Sequence, residues 1–527
     1  MVATSVSRAR GSNGAGGRPA SSANSRSAEL ACGMNSELPS LPWDHRLAHL
    51  DGLPQARVEP TPLPDPRLVL FNPAVAALID LPASSRVQPA LTEALAGNAR
   101  LPGALSIATA YGGHQFGVWA GQLGDGRAIL LGQVRNAQGE PWELQLKGAG
   151  RTPYSRGADG RAVLRSSLRE YLCSEAMAGL GVPTTRALSL VVSPQPVRRE
   201  RIETAAVVAR VAPSLLRFGH FEWLDYLQRP DLLRALADEV IDQHYPQFAG
   251  ADDRYPRWLT EVVERTARLM ARWQTLGFCH GVMNTDNFSI LGLTLDYGPF
   301  GFIDGFDAGH VCNHSDEGGR YAYDRQPGIG QWNCAQLLNA CLPLLAENRE
   351  AAVERATAIL DAYGPAYARA AVAGWSAKLG LAERRDGDPE LINRFLTLLH
   401  RTRADFTLSF RRLADVRSDS EALDAGRDHV ADPLTYDAWI TDYRSRLRGE
   451  ASVDAERAAR MQAVNPLYVL RNHLAQRAIE FAEAGDYGYS ERLLTALAQP
   501  FLERPGYEDL AQEPPPELRQ IEVSCSS

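Results

Sequence analysis

The most informative scarcity in this chain is that of lysine. Lysine and arginine together account for 55 of its 527 residues, yet only Lys147 and Lys378 are lysines. Arginine carries a planar fork and lysine a compact point charge, so a lysine kept in such a chain indicates a place that needs the point charge. Lys147 ends an apolar, strand-like run at 142–147 and is the first candidate for a functional cation.

Three further absences narrow the class of protein. The seven cysteines are scattered without a Cys-x-x-Cys pair, which argues against a zinc ribbon or a secreted disulfide framework and favours a reducing, cytoplasmic compartment. No uninterrupted apolar run is long enough to span a bilayer, so no membrane partner is expected. The net charge of -8 gives no reason to expect broad electrostatic binding to nucleic acid.

Residues 1–33 differ in composition from the rest of the chain. They are rich in Ser, Ala, Gly and Arg and contain a single acid, Glu29. Such a stretch is typical of an organelle transit peptide, of a disordered tail, or of a start codon assigned too early, with Met34 as the true start. Glycines interrupt any amphipathic helix, which favours the last two interpretations, and we assign residues 1–40 to a disordered or mis-assigned tail.

Hydrophobic periodicity predicts a mixed first half of the chain. Between residues 105 and 220 the elements follow the order strand, strand, strand, helix, strand, strand, which is the order in the small lobe of a protein kinase. The predicted elements are a hairpin over 121–134 that turns at 124–126, strands over 142–147, 187–192 and 204–212, and a helix over 161–180.

From about residue 221 the pattern is mostly helical, and its most regular segment is an amphipathic helix over 258–276. The expected fold class is α+β, a protein-kinase-like two-lobed fold with a small β-rich lobe that contains one key helix and a large, mainly helical lobe. The expected domains are the tail of 1–40, a small lobe with an N-terminal arm over 41–220, a large lobe over 221–505, and a C-terminal tail with Cys525 over 506–527.

A lysine on the third strand and a glutamate on the following helix are two parts of a kinase-like nucleotide site. The lysine contacts the nucleotide phosphates there, and the glutamate holds the lysine in place. In this chain the pair would be Lys147 and Glu170. Each residue alone is typical of an exposed surface, but their spacing after a glycine turn favours the functional interpretation.

Two glycine-containing segments could approach phosphates. Gly124 and Gly126 let the backbone come close to an anion, although most Gly-x-Gly turns are plain hairpin turns. Asp159 and Gly160 precede the predicted helix, where Asp159 would cap the helix or the amides would meet an anionic ligand. The residues alone favour the capping role.

The loop 280–287, His-Gly-Val-Met-Asn-Thr-Asp-Asn, carries the sharpest signal. A kinase has His-Arg-Asp, four further residues and Asn, in which the Asp is the base and the Asn binds metal. Here His280 and Asn287 keep the spacing, but Val282 occupies the base position and cannot accept a proton. Asp286 is the nearest carboxylate in the loop and is the candidate base.

Asp296, in Asp-Tyr-Gly, stands where kinases have the Asp of Asp-Phe-Gly. Asp296 and Asn287 together supply oxygen ligands, which suit Mg²⁺ or Mn²⁺ as the cofactor. A simpler interpretation makes both of them turn residues, but the strand-like run 288–295 between them argues against it.

Arg210 lies within an apolar strand, and Arg217 follows it closely. A buried arginine needs a carboxylate or phosphate partner. In a kinase this region lies near the adenine, where two cations have no role. The mismatch indicates that the nucleotide's phosphates lie where the adenine usually lies.

With these residues in place, the chain resembles the selenoprotein O family of kinase-fold adenylyltransferases from about residue 41 to the C-terminus. The resemblance rests on five strings: Tyr-Gly-Gly-His-Gln-Phe-Gly at 111–117, Leu-Lys-Gly-Ala-Gly-Arg-Thr-Pro-Tyr-Ser-Arg at 146–156, Asp-Gly-Arg at 159–161, the loop 280–287, and Asp-Gly-Phe at 304–306.

The resemblance implies a flipped ATP, transfer of AMP to Ser, Thr or Tyr hydroxyls of protein substrates with release of pyrophosphate, UMP transfer from UTP as a variation, and a link to redox or stress responses. It implies Asp286 as the proton acceptor, Lys147 and Glu170 as further catalytic residues, and Asn287 and Asp296 as metal ligands. The ATP contacts that it implies are Gly124, Gly126, Arg127, Lys147, Asp159, Gly160, Arg210, Arg217 and Asp296.

The family's C-terminal redox motif is altered in this chain. Many members end with selenocysteine three residues from the end and a cysteine three positions earlier, whereas this chain has Cys525 and Glu522 at these positions. A bridge within the tail is therefore excluded. Our redox hypothesis pairs Cys525 with Cys312, and the alternative is two unrelated thiols.

Two other functions stay open. A kinase that transfers the γ-phosphoryl group is disfavoured by Val282 and by the pair Arg210 and Arg217. A catalytically inactive, nucleotide-binding pseudokinase scaffold is disfavoured by the retained metal ligands Asn287 and Asp296, since a scaffold has no use for them.

Overall fold

An antiparallel sheet organises the first half of the chain in this computed structural model, which describes residues 38–519, 521 and 523. The predicted tail of 1–40 lies outside these residues except for 38–40, and Cys525 lies outside them too. The strands are β1 (Gln55–Arg57), β2 (Arg67–Phe71), β3 (Ile107–Tyr111), β4 (His114–Gln115), β5 (Val118–Trp119), β6 (Leu123–Gly124), β7 (Ala128–Arg135), β8 (Pro141–Lys147), β9 (Ala162–Val163), β10 (Arg186–Arg198), β11 (Ile202–Ala212), β12 (Phe278–Cys279) and β13 (Gly301–Phe302).

Within the described range, nine of these strands form one sheet. Its order is β1-β3-β7-β8-β11-β10-β2, with β6 paired to β3 and β9 paired to β11. Strands β4 and β5 form a separate small hairpin, and β12 and β13 form another two-stranded pair.

Helices cover the sheet and make up most of the second half of the chain. They are α1 (Pro73–Leu78), α2 (Pro89–Ala96), α3 (Leu164–Gly179), α4 (Phe218–Tyr226), α5 (Pro230–His244), α6 (Arg254–Leu276), α7 (Gln326–Ala340), α8 (Leu342–Leu345), α9 (Arg349–Leu360), α10 (Tyr363–Lys378), α11 (Asp388–Thr402), α12 (Phe406–Arg412), α13 (Pro433–Gly449), α14 (Asp454–Gln462), α15 (Asn472–Glu483) and α16 (Gly488–Leu497).

Strand register places two candidate cations on one face of the sheet. Gln145 on β8 pairs with Arg210 on β11, and Lys147 lies two residues further along β8. Paired residues, and residues two apart in one strand, share a face, so all three project from the same side. The opposite face carries Leu144 and Leu146, which are buried in one apolar cluster with residues of α1 and α2.

The short strands β12 and β13 bracket the candidate site residues that lie in loops. Helix α6 ends directly before β12, and its Trp273 stacks on His280 with 5.1 Å between ring centroids. Phe278 pairs with Phe302, and the segment between these strands contains both the loop 280–287 and Asp296. The loop 280–287 and Asp296, which are separate in sequence, therefore lie in one segment that is held at both ends by the pairing of β12 with β13.

The α+β class is confirmed, and the predicted strands and the helix over 258–276 are present within β8, β10, β11 and α6. No helix in the described part of the chain combines the length and the apolar composition needed to cross a membrane.

The predicted hairpin over 121–134 is wrong. Strands β6 and β7 both pair with β3, and β7 forms its hairpin with β8 instead. The residues at 124–126 make a bend that is tied to β3, because the Asp125 carboxylate accepts hydrogen bonds from the Thr109 amide at 2.9 Å and hydroxyl at 2.7 Å.

Two other boundaries also differ from the prediction. The helix predicted over 161–180 begins at Leu164, because Ala162–Val163 pair with β11. The run 288–295 is not a strand: it folds back on itself, and an antiparallel bridge joins Phe288 to Thr294. Apolar composition alone could not distinguish a buried tight loop from a strand.

Candidate active site

A cavity of about 620 Å³ collects the predicted nucleotide-site residues. Its wall is built from the sheet, helix α3, the segment 154–162, and the loops around 280–287 and 296–299. Cys312 is not among the lining residues. The lining includes every residue predicted for catalysis, ATP or metal: Gly124, Gly126, Arg127, Lys147, Asp159, Gly160, Glu170, Arg210, Arg217, Asp286, Asn287 and Asp296.

Lys147 is held between two carboxylates on the cavity wall. Its Nζ lies 2.5 Å from Glu170 Oε2 and 3.0 Å from Asp296 Oδ1. Burial lowers the pKa of Lys147, and the charges of Asp296 and Glu170 act in the opposite direction. The structure thus brings the predicted pair of Lys147 and Glu170 into contact and adds Asp296 as a third member.

Arg210 and Arg217 reach the same carboxylates. Arg210 Nη1 lies 3.1 Å from Glu170 Oε1 and 2.5 Å from Asp296 Oδ1, and its Nη2 donates to Gln145. Arg217 Nη1 lies 2.5 Å from Asp296 Oδ2. An arginine inside an apolar strand is tolerated here because its charge is paired.

Asp296 therefore accepts from three cations. Burial would raise its pKa, but Arg217, Lys147 and Arg210 outweigh burial and hold the pKa well below its usual range. Three cations share two carboxylates, Glu170 and Asp296, at this point. The surplus positive charge suits a phosphate chain.

The turn at 124–126 is fixed against the wall by a neighbouring segment. Thr152 Oγ1 donates to one backbone carbonyl of the turn at 2.7 Å, and Ser155 Oγ donates to another. A Cβ on Gly124 would lie 2.6 Å from the Tyr154 side chain, so the packing itself requires glycine at this position.

Asp159 does not cap helix α3, contrary to the prediction. The helix begins at Leu164, and its N-cap is Val163. The Asp159 carboxylate instead accepts from the guanidinium of Arg199 at 2.8 and 2.9 Å and from the Arg161 amide at 2.9 Å. The hydrogen bonds from Arg199 lower the pKa of Asp159. Arg199 also lines the cavity, and no motif in the sequence pointed to it.

Gly160 and Gly157 form a matched pair for testing how tightly this segment is packed. Both have positive φ, +71° and +85°. A Cβ on Gly160 would lie 2.2 Å from the carbonyl oxygen of Gly150, whereas a Cβ on Gly157 would meet nothing within 4 Å. We expect Gly157→Ala to lower the free energy of unfolding by about 1–2 kcal/mol through backbone strain. Gly160→Ala should cost clearly more because of the collision, and equal losses in urea unfolding would contradict this.

Asp286 is the lining acid with an unengaged oxygen. Its Oδ2 accepts from Gln115 Nε2 at 3.3 Å, and its Oδ1 is buried without a hydrogen-bond partner among residues 38–519, 521 and 523. Burial raises the pKa of Asp286 to about 6, although Arg217 acts to lower it. Such a carboxylate is suited to accept a proton near neutral pH. Gln115 had no role in the sequence prediction, although it lies in the string 111–117.

Asn287 and Asp296 present a donor set that fits a hard divalent ion. Asn287 Nδ2 donates to the Val282 carbonyl at 2.9 Å, which leaves the amide oxygen for a ligand. The described residues contain no group of three or more His, Cys, Asp or Glu that could hold a metal. Two protein oxygens completed by substrate phosphates and water are typical of Mg²⁺ sites, and Mn²⁺ accepts the same ligands.

Cys312 lies apart from the cavity lining. Its thiol donates to the carbonyl of Cys279 at 3.4 Å, and burial raises the pKa of Cys312 well above its usual range. Cys525 lies outside the described residues, so the disulfide stays a prediction. Val523, two residues before Cys525, is described. Its carbonyl accepts a hydrogen bond at 2.9 Å from the amide of His314, which is two residues after Cys312.

The cavity combines cations that suit phosphates, oxygen donors that suit a metal and a buried carboxylate with an unengaged oxygen. Together these features are typical of a site for nucleotide chemistry. The chain matches the family model described as "Protein adenylyltransferase SelO" over residues 39–498. The chain therefore belongs to this family and is a nucleotidyltransferase.

Similar proteins from three bacteria extend the match over almost the whole chain. Each carries the description "Protein nucleotidyltransferase YdiU". The relative from Methylococcus capsulatus is 56% identical over 93% of this chain and 97% of its own length. Those from Burkholderia multivorans and Myxococcus xanthus are 54% and 52% identical, over 92% and 93% of this chain and 96% and 99% of their own lengths.

Proposed function

We propose that the protein transfers AMP from ATP to Ser, Thr or Tyr hydroxyls of other proteins and releases pyrophosphate. The position of Asp286 supports this best, because its side chain has an unengaged buried oxygen and its backbone contacts one cation of the three-cation cluster. Arg217 links the two, because its Nη1 contacts both Asp296 Oδ2 and the Asp286 carbonyl, the latter at 2.7 Å. Transfer of UMP from UTP is a variation that the same site would support, and Cys312 and Cys525 would connect the activity to redox or stress responses.

The proposal includes a protein-kinase-like two-lobed fold. Its small lobe with the N-terminal arm would span 41–220, its large helical lobe 221–505 and its tail 506–527. The strand that carries Lys147 and the helix that carries Glu170 support the kinase likeness. Scattered cysteines and a net charge of -8 favour a cytoplasmic enzyme with protein partners, without nucleic acid or membrane partners.

The cation cluster favours a flipped nucleotide. With the phosphates beside Lys147, Arg210 and Arg217, the pyrophosphate leaves into positive charge, which stabilises the charge that develops on it. Glu170 keeps Lys147 and Arg210 in place through its two oxygens. The remaining ATP contacts would come from Gly124, Gly126, Arg127, Asp159, Gly160 and Asp296.

Asp286 would act as the base. The acceptor hydroxyl oxygen bonds to the α-phosphorus, the bond from that phosphorus to the bridging oxygen of pyrophosphate breaks, and the hydroxyl proton moves to Asp286 Oδ1. Asn287 and Asp296 would hold Mg²⁺ or Mn²⁺, which when bound supplies charge neutralisation at the phosphates.

Paired labelling tests the reaction. Purified protein, Mg²⁺ or Mn²⁺ and a cell lysate are incubated with ATP that carries ³²P at the α or the γ position. We expect protein-bound label from the α position only, and a fall of about 10²-fold in Lys147→Ala, because one cation at the phosphates is lost. Arg210 still pairs with both carboxylates in that variant, so the cluster is not left with unpaired acids.

The other lysine supplies the control. Lys378 is buried over the rings of Phe410 and Phe406 and lies outside the cavity, so Lys378→Met should keep the labelling. Label from the γ position only would identify a kinase despite Val282. No label from either position, with ATP still bound, would identify a pseudokinase scaffold.

A further inference from the structure

The hairpin of β4 and β5 (114–119) lies at the edge of the cavity and contacts the loop 280–287 directly. The His114 amide donates to Thr285 Oγ1 at 2.7 Å, and Gln115 Nε2 donates to Asp286 Oδ2 at 3.3 Å. Gln115 is also a lining residue of the cavity. The hairpin therefore lies beside Asp286 at the edge of the cavity.

The tip of the hairpin is anchored rather than loose. The Phe116 amide donates to Asn284 Oδ1 at 3.1 Å and to the Tyr321 hydroxyl at 2.9 Å. That hydroxyl in turn donates to Asn284 Oδ1 at 2.7 Å, and the rings of Phe116 and Tyr321 lie 5.1 Å apart. Because these hydrogen bonds join the tip of the hairpin to Asn284 and Tyr321, the hairpin has a fixed position relative to Asp286.

The exposed large side chains of this hairpin are apolar. Phe116 is 39% exposed and Val118 is 70% exposed. Trp119 lies 5.4 Å from the ring of Tyr226, which is itself exposed, so the apolar surface continues beyond the hairpin. A rigid apolar surface next to a reacting carboxylate is more typical of a binding surface than of scattered exposed side chains.

We propose that this hairpin is the docking surface for the acceptor protein and that it selects an extended segment with an apolar side chain close to the modified hydroxyl. The inference rests on the proposed protein acceptor. A peptide whose hydroxyl approaches Asp286 along the side of Gln115 would lay its flanking residues onto Phe116 and Val118. Burial of an apolar side chain there would favour such acceptors over polar ones.

Two synthetic peptides test the selection. Each carries one serine, flanked in one peptide by leucine and valine and in the other by glycine and glutamine. We expect the wild-type kcat/KM for AMP transfer to be roughly tenfold or more higher for the apolar peptide. Val118→Asp should remove most of this preference, because a charge on the docking surface disfavours apolar contact.

Val87→Asp is the matched control, because Val87 is similarly exposed, at 75%, and does not line the cavity. It should keep the full preference. Equal kcat/KM for the two peptides, equal effects of the two variants, or label on lysate proteins with none on either peptide would overturn the docking proposal. Absence of α-label from every protein would instead reject the proposed function.

Discussion

Replacement of Asp286 by Asn should lower kcat for nucleotidyl transfer by about 10²–10⁴-fold, the range expected when a general base is removed. The amide has nearly the same shape and can still accept from Gln115 through its oxygen, so the cavity should keep its form. Dissociation constants for ATP should therefore match those of the wild type. Quenched-flow transfer assays combined with calorimetric titration of ATP measure both quantities, and a variant with wild-type kcat would refute the assignment of the base.

The pH dependence of kcat/KM should follow the protonation of Asp286. Burial raises the pKa of Asp286 to about 6, and the base works only when deprotonated. The wild-type kcat/KM should accordingly be level above pH 7 and fall about tenfold per pH unit well below pH 6, since this ratio reports the free enzyme. An acid limb centred near pH 4, the value of an ordinary Asp, would contradict the burial argument.

As the pH rises, the contribution of Asp286 to the stability of the fold should fall while the activity rises. Because the pKa of Asp286 is higher in the folded chain than in the unfolded chain, the folded state binds more protons between about pH 4 and pH 6. The stabilising contribution is complete below that window and is lost as the pH rises through it. At pH 8 the wild type carries a buried, partly unpaired charge, so the Asn variant should melt at the higher temperature.

The sequence predicted which residues line the cavity better than it predicted their local geometry. Lys147 and Arg210 could be placed because strand alternation and an apolar run with a single charge are local signals. The loop 280–287 could be interpreted because its spacing resembles a known motif. These local signals account for the agreement between the predicted residues and the lining of the cavity.

Most of the errors concern partners that are distant in sequence; the exception is the run 288–295, where the bridge from Phe288 to Thr294 is local. The glycines at 124 and 126 predicted a turn correctly, but strand pairing was decided by β3, an element encoded upstream. Asp159 was assigned to a helix cap because the sequence did not show that Arg199 would lie beside it. Gln115 reaches Asp286 across 171 positions, a contact that only the fold creates.

Replacement of Asp296 by Asn should lower kcat for nucleotidyl transfer by about 10³-fold and should also destabilise the free protein. Its two carboxylate oxygens face Lys147, Arg210 and Arg217. The amide would leave Lys147 and Arg210 with the carboxylate of Glu170, and Arg217 with the backbone carbonyl of Asp286. Breaking a buried ion pair costs about 3–5 kcal/mol. A phosphate chain can replace the lost charge, so ATP without metal should restore more thermal stability to this variant than to the wild type.

Asp304→Asn is the matched control for this effect, because Asp304 pairs with the buried Arg471 and does not line the cavity. Asp405 also contacts that arginine, so this variant too loses one of the carboxylates of a buried cluster. Thermal unfolding with and without ATP in the presence of a chelator separates the two cases. A large ATP shift confined to Asp296→Asn is the expected result, because only this substitution exposes cations to the triphosphate. Equal shifts in both variants would mean that the phosphates bind elsewhere and that the flipped orientation has to be abandoned.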